Sequence, residues 1–491
     1  MTTLTDPTAA PPALPLIEPV DLRIGAIARR ARWRRAVQVA WVFSTRLGPV
    51  PLRWLAHLGR RSFRDLLGAP LVAAVFDLGV TFIKLGQLLA SSPSLAGAVL
   101  ADAMRGVLDR GPSVPFEELR EIVEADLGRP FDEVFAAFDR EPFAAASLAV
   151  VHRARLTDGT DVAVKVLRPE SLPSVSVDMG IVQPLAHWLG RQLPIAGVPM
   201  LPPAVDGLAE QLAEELDLRN EARVMGWFAA MVELIGFQQI RVPRTYEHAS
   251  GKDVLTMEYI DGFPVDDLEA IAARDVDAKV AIESLIEAWF ALALCTGVFH
   301  GDMHAGNLLL TAQGEVVLLD WGIVGRLPDA SRRFFRRSLE GSLGDESAWA
   351  DVCDHMLSMF GDDVLTAGGI TAEQLQQMIK AQTCLIMTMP FDQLDLMMLM
   401  PTATLPGQEA AAVPTSPRDL LRLLRSERRR IREGGRSLTE VPQPRGELLL
   451  IKQLVFFERY GKLFLGSQPL IYDADVYRSL LALPVFEPPA G

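Results

Sequence analysis

Eight consecutive residues, His300-Gly301-Asp302-Met303-His304-Ala305-Gly306-Asn307, and a later turn, Asp320-Trp321-Gly322, restrict the fold of this chain more than any other feature. The first is a glycine-containing loop whose aspartate and asparagine lie five positions apart. Glu315-Val316-Val317-Leu318-Leu319 leads directly into the second turn, and its β-branched and apolar residues predict a strand that delivers Asp320 to a fixed place. Either turn alone would mean little, because Asp-Xaa-Gly is a common way to reverse a chain. Together they require a fold that sets a loop bearing a carboxylate and an amide beside a strand bearing a second carboxylate.

That combination suits phosphoryl transfer, in which a protein mainly places groups and neutralises charge. The Asp-to-Asn spacing is that of a kinase catalytic loop, so Asp302 is the expected catalytic carboxylate, and Asn307 and Asp320 are the expected metal ligands. Upstream, Val162-Ala163-Val164-Lys165 closes a strand of small and β-branched residues with a lysine placed to meet phosphate. Asp217 and Glu221 are four apart on a predicted helix, where two like charges need a cation nearby, and Lys165 is the natural partner of Glu221. Ala144-Ala145-Ala146-Ser147 precedes the first strand, where a phosphate loop would lie; its amides can face phosphate, though alanine lacks glycine's access to positive φ. Lys84 and Gln87 are three apart on a helix with Phe76, Val80 and Ile83 along its apolar stripe. By spacing alone they read as the polar side of a half-exposed helix around an incidental Gly86.

The chain of 491 residues has room for two or three domains, and its 49% hydrophobic content can fill their cores. A net charge of −14 argues against a nucleic-acid partner. The charge is segregated: Leu22 to Arg64 holds eleven Arg and no acid, which leaves −25 on the remainder. With Trp33, Trp41 and Phe43 among the arginines, this arm suits equally a helix at an anionic membrane surface and one docked on the acidic rest of the chain. Cys295, Cys353 and Cys384 lack metal or disulfide spacing and suit a reducing compartment. No secretory signal or uninterrupted spanning run is evident; the apolar run Leu448 to Phe457 is broken by Lys452 and Gln453. The expected location is cytoplasmic, with peripheral membrane contact.

The expected order is a disordered tail over 1–20, the Arg-rich arm over 21–65, and a helical extension over 66–135. An N-lobe over 136–262 follows, with strands at Ser147–Leu156 and Asp161–Leu167 joined by a turn at Asp158-Gly159, a long helix from Pro203 to Ile235, and a strand at Val254–Tyr259. That last strand runs into a connection between lobes, where Glu258 and Ile260 are the expected nucleotide contacts. A largely helical C-lobe over 263–400, a Pro/Ala/Thr-rich linker over 401–417 and a helical segment over 418–491, basic from Arg418 to Arg436, complete the chain. The fold class is α+β, a bilobal kinase-like fold with a helical N-terminal extension.

These residues resemble the UbiB/AarF family of atypical kinases. The likeness rests on Lys84-Leu85-Gly86-Gln87, the Ala-rich loop, Val-Ala-Val-Lys165, Glu215-Leu216-Asp217 with Glu221, the His-Gly-Asp to Gly-Asn loop, and Asp320-Trp321-Gly322, and covers about residues 70 to 330. It implies that Lys84, Gly86 and Gln87 cover the active site, approaching Glu215 and Asp217 where a protein kinase receives peptide. It also implies ATP with Mg2+, ATPase activity more than protein phosphorylation, and a lipid or quinone-precursor ligand in isoprenoid quinone metabolism. A nucleotide-gated scaffold with little chemistry is the alternative. The chain departs from the family pattern in Ser147-Leu148-Ala149-Val150-Val151-His152, which lacks the usual glycine and glutamine, in Met303 and Ala305 in place of two prolines, and in Trp321 and Val224.

Overall fold

The computed structural model describes residues 12–13, 15–22, 29–50, 63–90, 114–145, 148–192, 201–360, 365, 369–396 and 445–486. The expected linker, the basic helix Arg418–Arg436, and Ala146 and Ser147 of the alanine loop lie outside the described residues, as does the side chain of Gln87. The described chain is α+β: a five-stranded sheet lobe, a helical lobe with two small sheets, and helices of the N-terminal extension packed beside them.

The extension comprises α1 (Arg29–Leu47), α2 (Phe63–Leu78) and α3 (Val80–Ala90). Gly79, at φ 88°, breaks the last two apart in a conformation that glycine adopts without strain. α1 docks through buried Val42 and through Arg35, whose guanidinium pairs with Asp178 at 2.7 Å and donates to the Leu78 carbonyl. Its arginines therefore meet the acidic remainder of the same chain, one of the two partners its composition suits. Phe82 and Ile83 sink α3 into the core and leave Lys84 half-buried at its edge.

After α4 (Phe116–Leu127), the first sheet is built from β1 (Phe135–Phe138), β2 (Ala144–Ala145), β3 (Ala149–Leu156), β4 (Asp161–Leu167) and later β6 (Val254–Glu258), in the order β1-β3-β4-β6 with β2 on β3. The β3–β4 turn forms as expected, with Gly159 at φ 92° and the Asp158 carboxylate accepting the Thr160 N–H. Side-chain alternation along β4 decides where Lys165 goes. Val162, Val164 and Val166 point into a small core with Leu119, Val123 and Phe131, while Ala163 and Leu167 join the main core. Lys165, in phase with the latter pair, is turned toward the other lobe.

Between β4 and β6 lie α5 (Ser171–Gln192), α6 (Leu201–Glu215), α7 (Leu218–Ile235) and the short β5 (Ile240–Arg241). The single helix expected from Pro203 to Ile235 is two helices. Asp217 is extended at φ −137°, and its carboxylate accepts the Arg219 N–H, so it caps α7 and ends the α6 register. Asp217 and Glu221 consequently do not share a face of one helix: the first stands before it and the second lies in its opening turn.

The helical lobe is organised on α8 (Ala278–Thr296), most of whose residues are buried; its Trp289 ring packs against Phe299 and Phe457. β7 (Phe263–Pro264) precedes this helix, and four short strands follow it: β8 (Val298–His300), β9 (Leu308–Leu310), which pairs with β7, β10 (Val316–Leu318) and β11 (Val324–Arg326). β9 and β10 are antiparallel, β10 lies parallel to β5, and β8 pairs with β11. This pairing brings the loop after β8 against the turn after β10. Beyond them come α9 (Asp329–Ser342), α10 (Ala348–Phe360), α11 (Ala372–Thr388), α12 (Arg445–Tyr460) and α13 (Ala474–Ala482).

Residues 15–20, part of the tail expected to be disordered, run extended along α7. The Glu18 N–H donates to Asn220 Oδ1 and its carbonyl accepts from Asn220 Nδ2, both at 3.1 Å, while Arg326 donates to the Pro15 carbonyl. Proline-rich backbone is partly ordered already, so a few such bonds suffice to hold it. Among the described residues no helix is long and apolar enough to cross a membrane.

Candidate active site

The two turns meet through His300. Its buried ring bonds the Asp320 carbonyl through Nε2 at 2.6 Å and accepts the Asp302 N–H at Nδ1, which fixes the proton on Nε2. Burial pushes this imidazole down to about 4, so it is a neutral connector rather than a proton carrier. Gly301 is needed beside it, because a Cβ there would stand 2.8 Å from Ile323 Cγ2. The Asn307 amide donates Nδ2 to the Asp302 carbonyl, so its oxygen is the atom that could accept a hydrogen bond or hold a cation.

Lys165 enters from β4. Its ammonium is 2.8 Å from both Glu221 carboxylate oxygens and 3.4 Å from Asp320 Oδ1. Burial disfavours this charge, but the Asp320 and Glu221 carboxylates outweigh it and raise the lysine above its ordinary range. Burial also lifts the Glu221 carboxyl to about 7, with Lys165 pulling against that lift and Asp320 adding to it. At Asp320 desolvation is overcome by Lys165 and by the Gly322 N–H, and the carboxylate is held well below its usual range. Two carboxylates thus share one ammonium, and Asp320 keeps the permanent negative charge. Trp321 ties the turn to α7: its N–H donates to Glu221 and its ring lies 4.3 Å from that of Phe228.

Lys84, Lys165, Glu215, Glu221, Asp302, Asn307 and Asp320 all line one cleft of about 540 Å³ that is open to solvent. Lys84 reaches across from the extension to Glu215, 3.0 and 3.1 Å from its two oxygens, and Gln211 holds the same carboxylate at 2.7 Å. Gly86 is buried in α3. Asp217, expected beside Lys84, instead pairs with Arg219 at 2.6 Å and caps α7.

Ala144 and Ala145 form the exposed edge strand β2, paired with Val151 and Val150. Glu258 and Ile260 lie where β6 leaves the sheet, outside the lining of the polar cleft; the Glu258 carboxylate is engaged by Arg241 and the Arg244 N–H.

The sequence reading missed the contribution of α12. Lys452 Nζ is 2.7 Å from Asp302 Oδ1, and Gln453, fully buried, accepts the Met303 N–H and donates to the Gly301 carbonyl. Burial opposes ionisation of Asp302, but Lys452 and His304 outweigh it and hold the carboxylate below its usual range. The available signal was the polar pair interrupting the apolar run Leu448–Phe457.

Residues 106–348 match the family model of the ABC1 atypical kinase-like domain. The chain carries an ABC1 kinase-like domain. It is 29% identical over 407 residues to an uncharacterised aarF domain-containing protein kinase of Arabidopsis thaliana, described as chloroplastic, covering 81% of this chain and 72% of that one. An uncharacterised Mycobacterium tuberculosis protein is 38% identical over 266 residues, 53% of each chain. The probable protein kinase UbiB of Pseudomonas aeruginosa is 34% identical over 294 residues, 59% of this chain and 54% of that one. The matched part therefore spans about half of the last two relatives. A solved Mycobacterium tuberculosis structure, a complex with erythromycin, aligns at 20% identity with a TM-score of 0.46, covering 74% of this chain and 85% of that one. Lys84, which lines the cleft, and Lys452, which reaches Asp302 within it, both lie outside the matched domain.

Proposed function

We propose that this ABC1 kinase-like protein binds ATP with magnesium and either hydrolyses it or passes its γ-phosphoryl group to a small lipid-like acceptor, in support of isoprenoid quinone or other lipid metabolism at a membrane surface. The observation that carries the reading is the single cleft in which the Lys165–Glu221 pair, Asp302, Asn307 and Asp320 converge. Lys165 meets phosphate oxygens, while the backbone at Glu258 and Ile260 and the edge strand with Ala144 and Ala145 border the nucleotide. Asn307 and Asp320 offer an amide oxygen and an ionised carboxylate, the hard oxygen donors magnesium takes together with phosphate and water. When bound there, magnesium would neutralise phosphate charge.

In the reaction the bond between the γ-phosphorus and the β–γ bridging oxygen breaks as a bond forms from the acceptor oxygen. The acceptor's proton passes to Asp302 and then to solvent, and ADP leaves. The Lys84–Glu215 contact takes up ground where a peptide would lie, which favours water or a compact acceptor. Calorimetry on the full chain should show adenine nucleotide uptake that strengthens with magnesium, accompanied by phosphate release that phenolic quinone-precursor mimics increase. Absence of nucleotide uptake would end the proposal. The competing reading, a nucleotide-gated scaffold, predicts uptake without release.

Membrane contact has its own support. Trp33, Val37 and Trp41, four residues apart on α1, are 68%, 49% and 65% exposed, with exposed Arg30 and Arg34 beside them. The inner face of α1 is docked on the protein, so this outer stripe of tryptophan and arginine is free to enter an anionic lipid interface. Replacing Trp33 and Trp41 by Ser is expected to weaken binding to phosphatidylglycerol vesicles by about tenfold, on the order of 1.4 kcal/mol. Equal co-sedimentation of both proteins would dismiss the stripe as the contact.

A further inference from the structure

Asp302 is framed by a helix about 150 residues downstream in sequence. Gln453 clamps the peptide groups on either side of it, accepting from Met303 at 3.0 Å and donating to Gly301 at 2.6 Å, and the Tyr460 hydroxyl donates to the Met303 carbonyl at 2.7 Å. Arg445 forms a two-pronged pair with Glu214, next to the Glu215 that receives Lys84. α12 is thus anchored at both ends, and Lys452 projects from its middle to within 2.7 Å of Asp302 Oδ1.

The charge inventory makes that position informative. From His300 to Leu310 the loop carries no lysine or arginine, and the His304 ring stands with Nε2 4.0 Å from the Asp302 carboxylate. Lys165 lies against Glu221 and Asp320. In phosphoryl transfer the three equatorial oxygens of the γ-group carry charge beside the attacking oxygen, the one the catalytic carboxylate approaches. An ammonium held against that carboxylate is next to those oxygens as well, and its flexible four-carbon stem can swing from one to the other.

Building on the reading of Asp302 as the base, we propose that Lys452 is a further catalytic residue of this site: it contacts the γ-phosphoryl group during transfer, supplying from α12 the positive charge the catalytic loop lacks. The bonds broken and formed are those given above. Lys452 gives up no proton; its ammonium moves from the Asp302 carboxylate to the phosphoryl oxygens as Asp302 takes the acceptor's proton. A second lysine of the cleft, Lys84, is held by Glu215 at 3.0 Å, so the ammonium that stands directly against Asp302 is that of Lys452.

The test uses the full chain with Lys452→Met, which keeps the stem and removes the charge, and Lys452→Arg. Measured quantities are ATP turnover with magnesium, affinity for ADP and for a non-hydrolysable ATP analogue, and the thermal midpoint. For Lys452→Met we expect kcat to fall about a hundredfold, in the range seen when one transition-state donor is removed. ADP affinity should hold within about twofold, and the fold should persist with a modestly lowered midpoint, because Gln453 and Tyr460 still anchor α12 while Asp302 loses its ammonium partner. Any preference for the analogue over ADP, which reads the γ-phosphate alone, should shrink, and Lys452→Arg should restore part of both losses. Unchanged kcat and analogue preference would make Lys452 a spectator, and faster turnover would make it a plug on Asp302; either overturns the proposal. Wild-type protein that takes up no nucleotide would instead overturn the underlying ATP reading, and this proposal with it, before any variant is compared.

Discussion

Asp302→Asn should cut ATP turnover by about 10³-fold, within the ~10²–10⁴-fold span of general-base contributions, while leaving nucleotide affinity nearly untouched. The asparagine keeps the size and planarity of the side chain, and the loop that carries it is held by bonds to its backbone: His300 accepts the Asp302 N–H, Asn307 donates to the Asp302 carbonyl, and Gln453 holds the flanking peptides. What is lost is the charge that meets Lys452 and the capacity to take the acceptor's proton. Nucleotide contacts are assigned to Lys165, Asn307 and Asp320, so binding and chemistry separate in this variant. Steady-state phosphate release and calorimetric ADP titration together decide the matter. A variant that turns over ATP at the wild-type rate would remove Asp302 from the chemistry and leave the nucleotide-gated scaffold as the better account.

The convergence of the cleft's polar side chains was legible in the sequence where fixed spacing within one loop carries it. Asp302 and Asn307 are five residues apart, and the apolar strand before Asp320 gives that carboxylate its place. Lys165 was legible because alternation along β4 fixes which face a residue takes. Its pairing with Glu221 needed only the order of the elements, and the structure closes that pair at 2.8 Å. The break at Asp217 was not legible: Ala-Glu-Glu-Leu-Asp-Leu-Arg-Asn favours helix on both sides, and one side chain that prefers capping decides the break. Nor was the role of α12, since Lys452 and Gln453 read as interruptions in an apolar run until tertiary packing brought them to the loop. The order in residues 15–20 depends on Asn220, some 200 positions away, which composition cannot register. In each case the missing information was non-local: local rules place the polar side chains of the two turns, and packing supplies the groups that hold them.

Removing Lys165 should produce the largest stability change at the site, with a distinctive dependence on pH. In Lys165→Met the methionine fills the space of the stem but leaves Glu221 and Asp320 facing each other without the shared ammonium. Breaking a buried pair by deleting one partner typically costs about 3–5 kcal/mol. Glu221 offers an escape from part of that cost, because burial already lifts its carboxyl to about 7 in the intact site. Without Lys165 pulling against that lift, its affinity for a proton rises further. An acid whose folded pKa is raised binds more protons folded than unfolded, so unfolding free energy falls as pH rises from the ordinary glutamate range through the raised value. The loss is therefore expected to be markedly smaller at about pH 5.5, where the folded variant holds the proton, than at about pH 8, and to be complete only above the raised value, where Glu221 is ionised. Urea unfolding in magnesium- and nucleotide-free buffer reads this directly, since a divalent cation beside Asp320 would replace some of the missing charge. A loss of equal size at both pH values would show that Glu221 stays ionised without its lysine, and with that the shared-ammonium account of the cleft would fail.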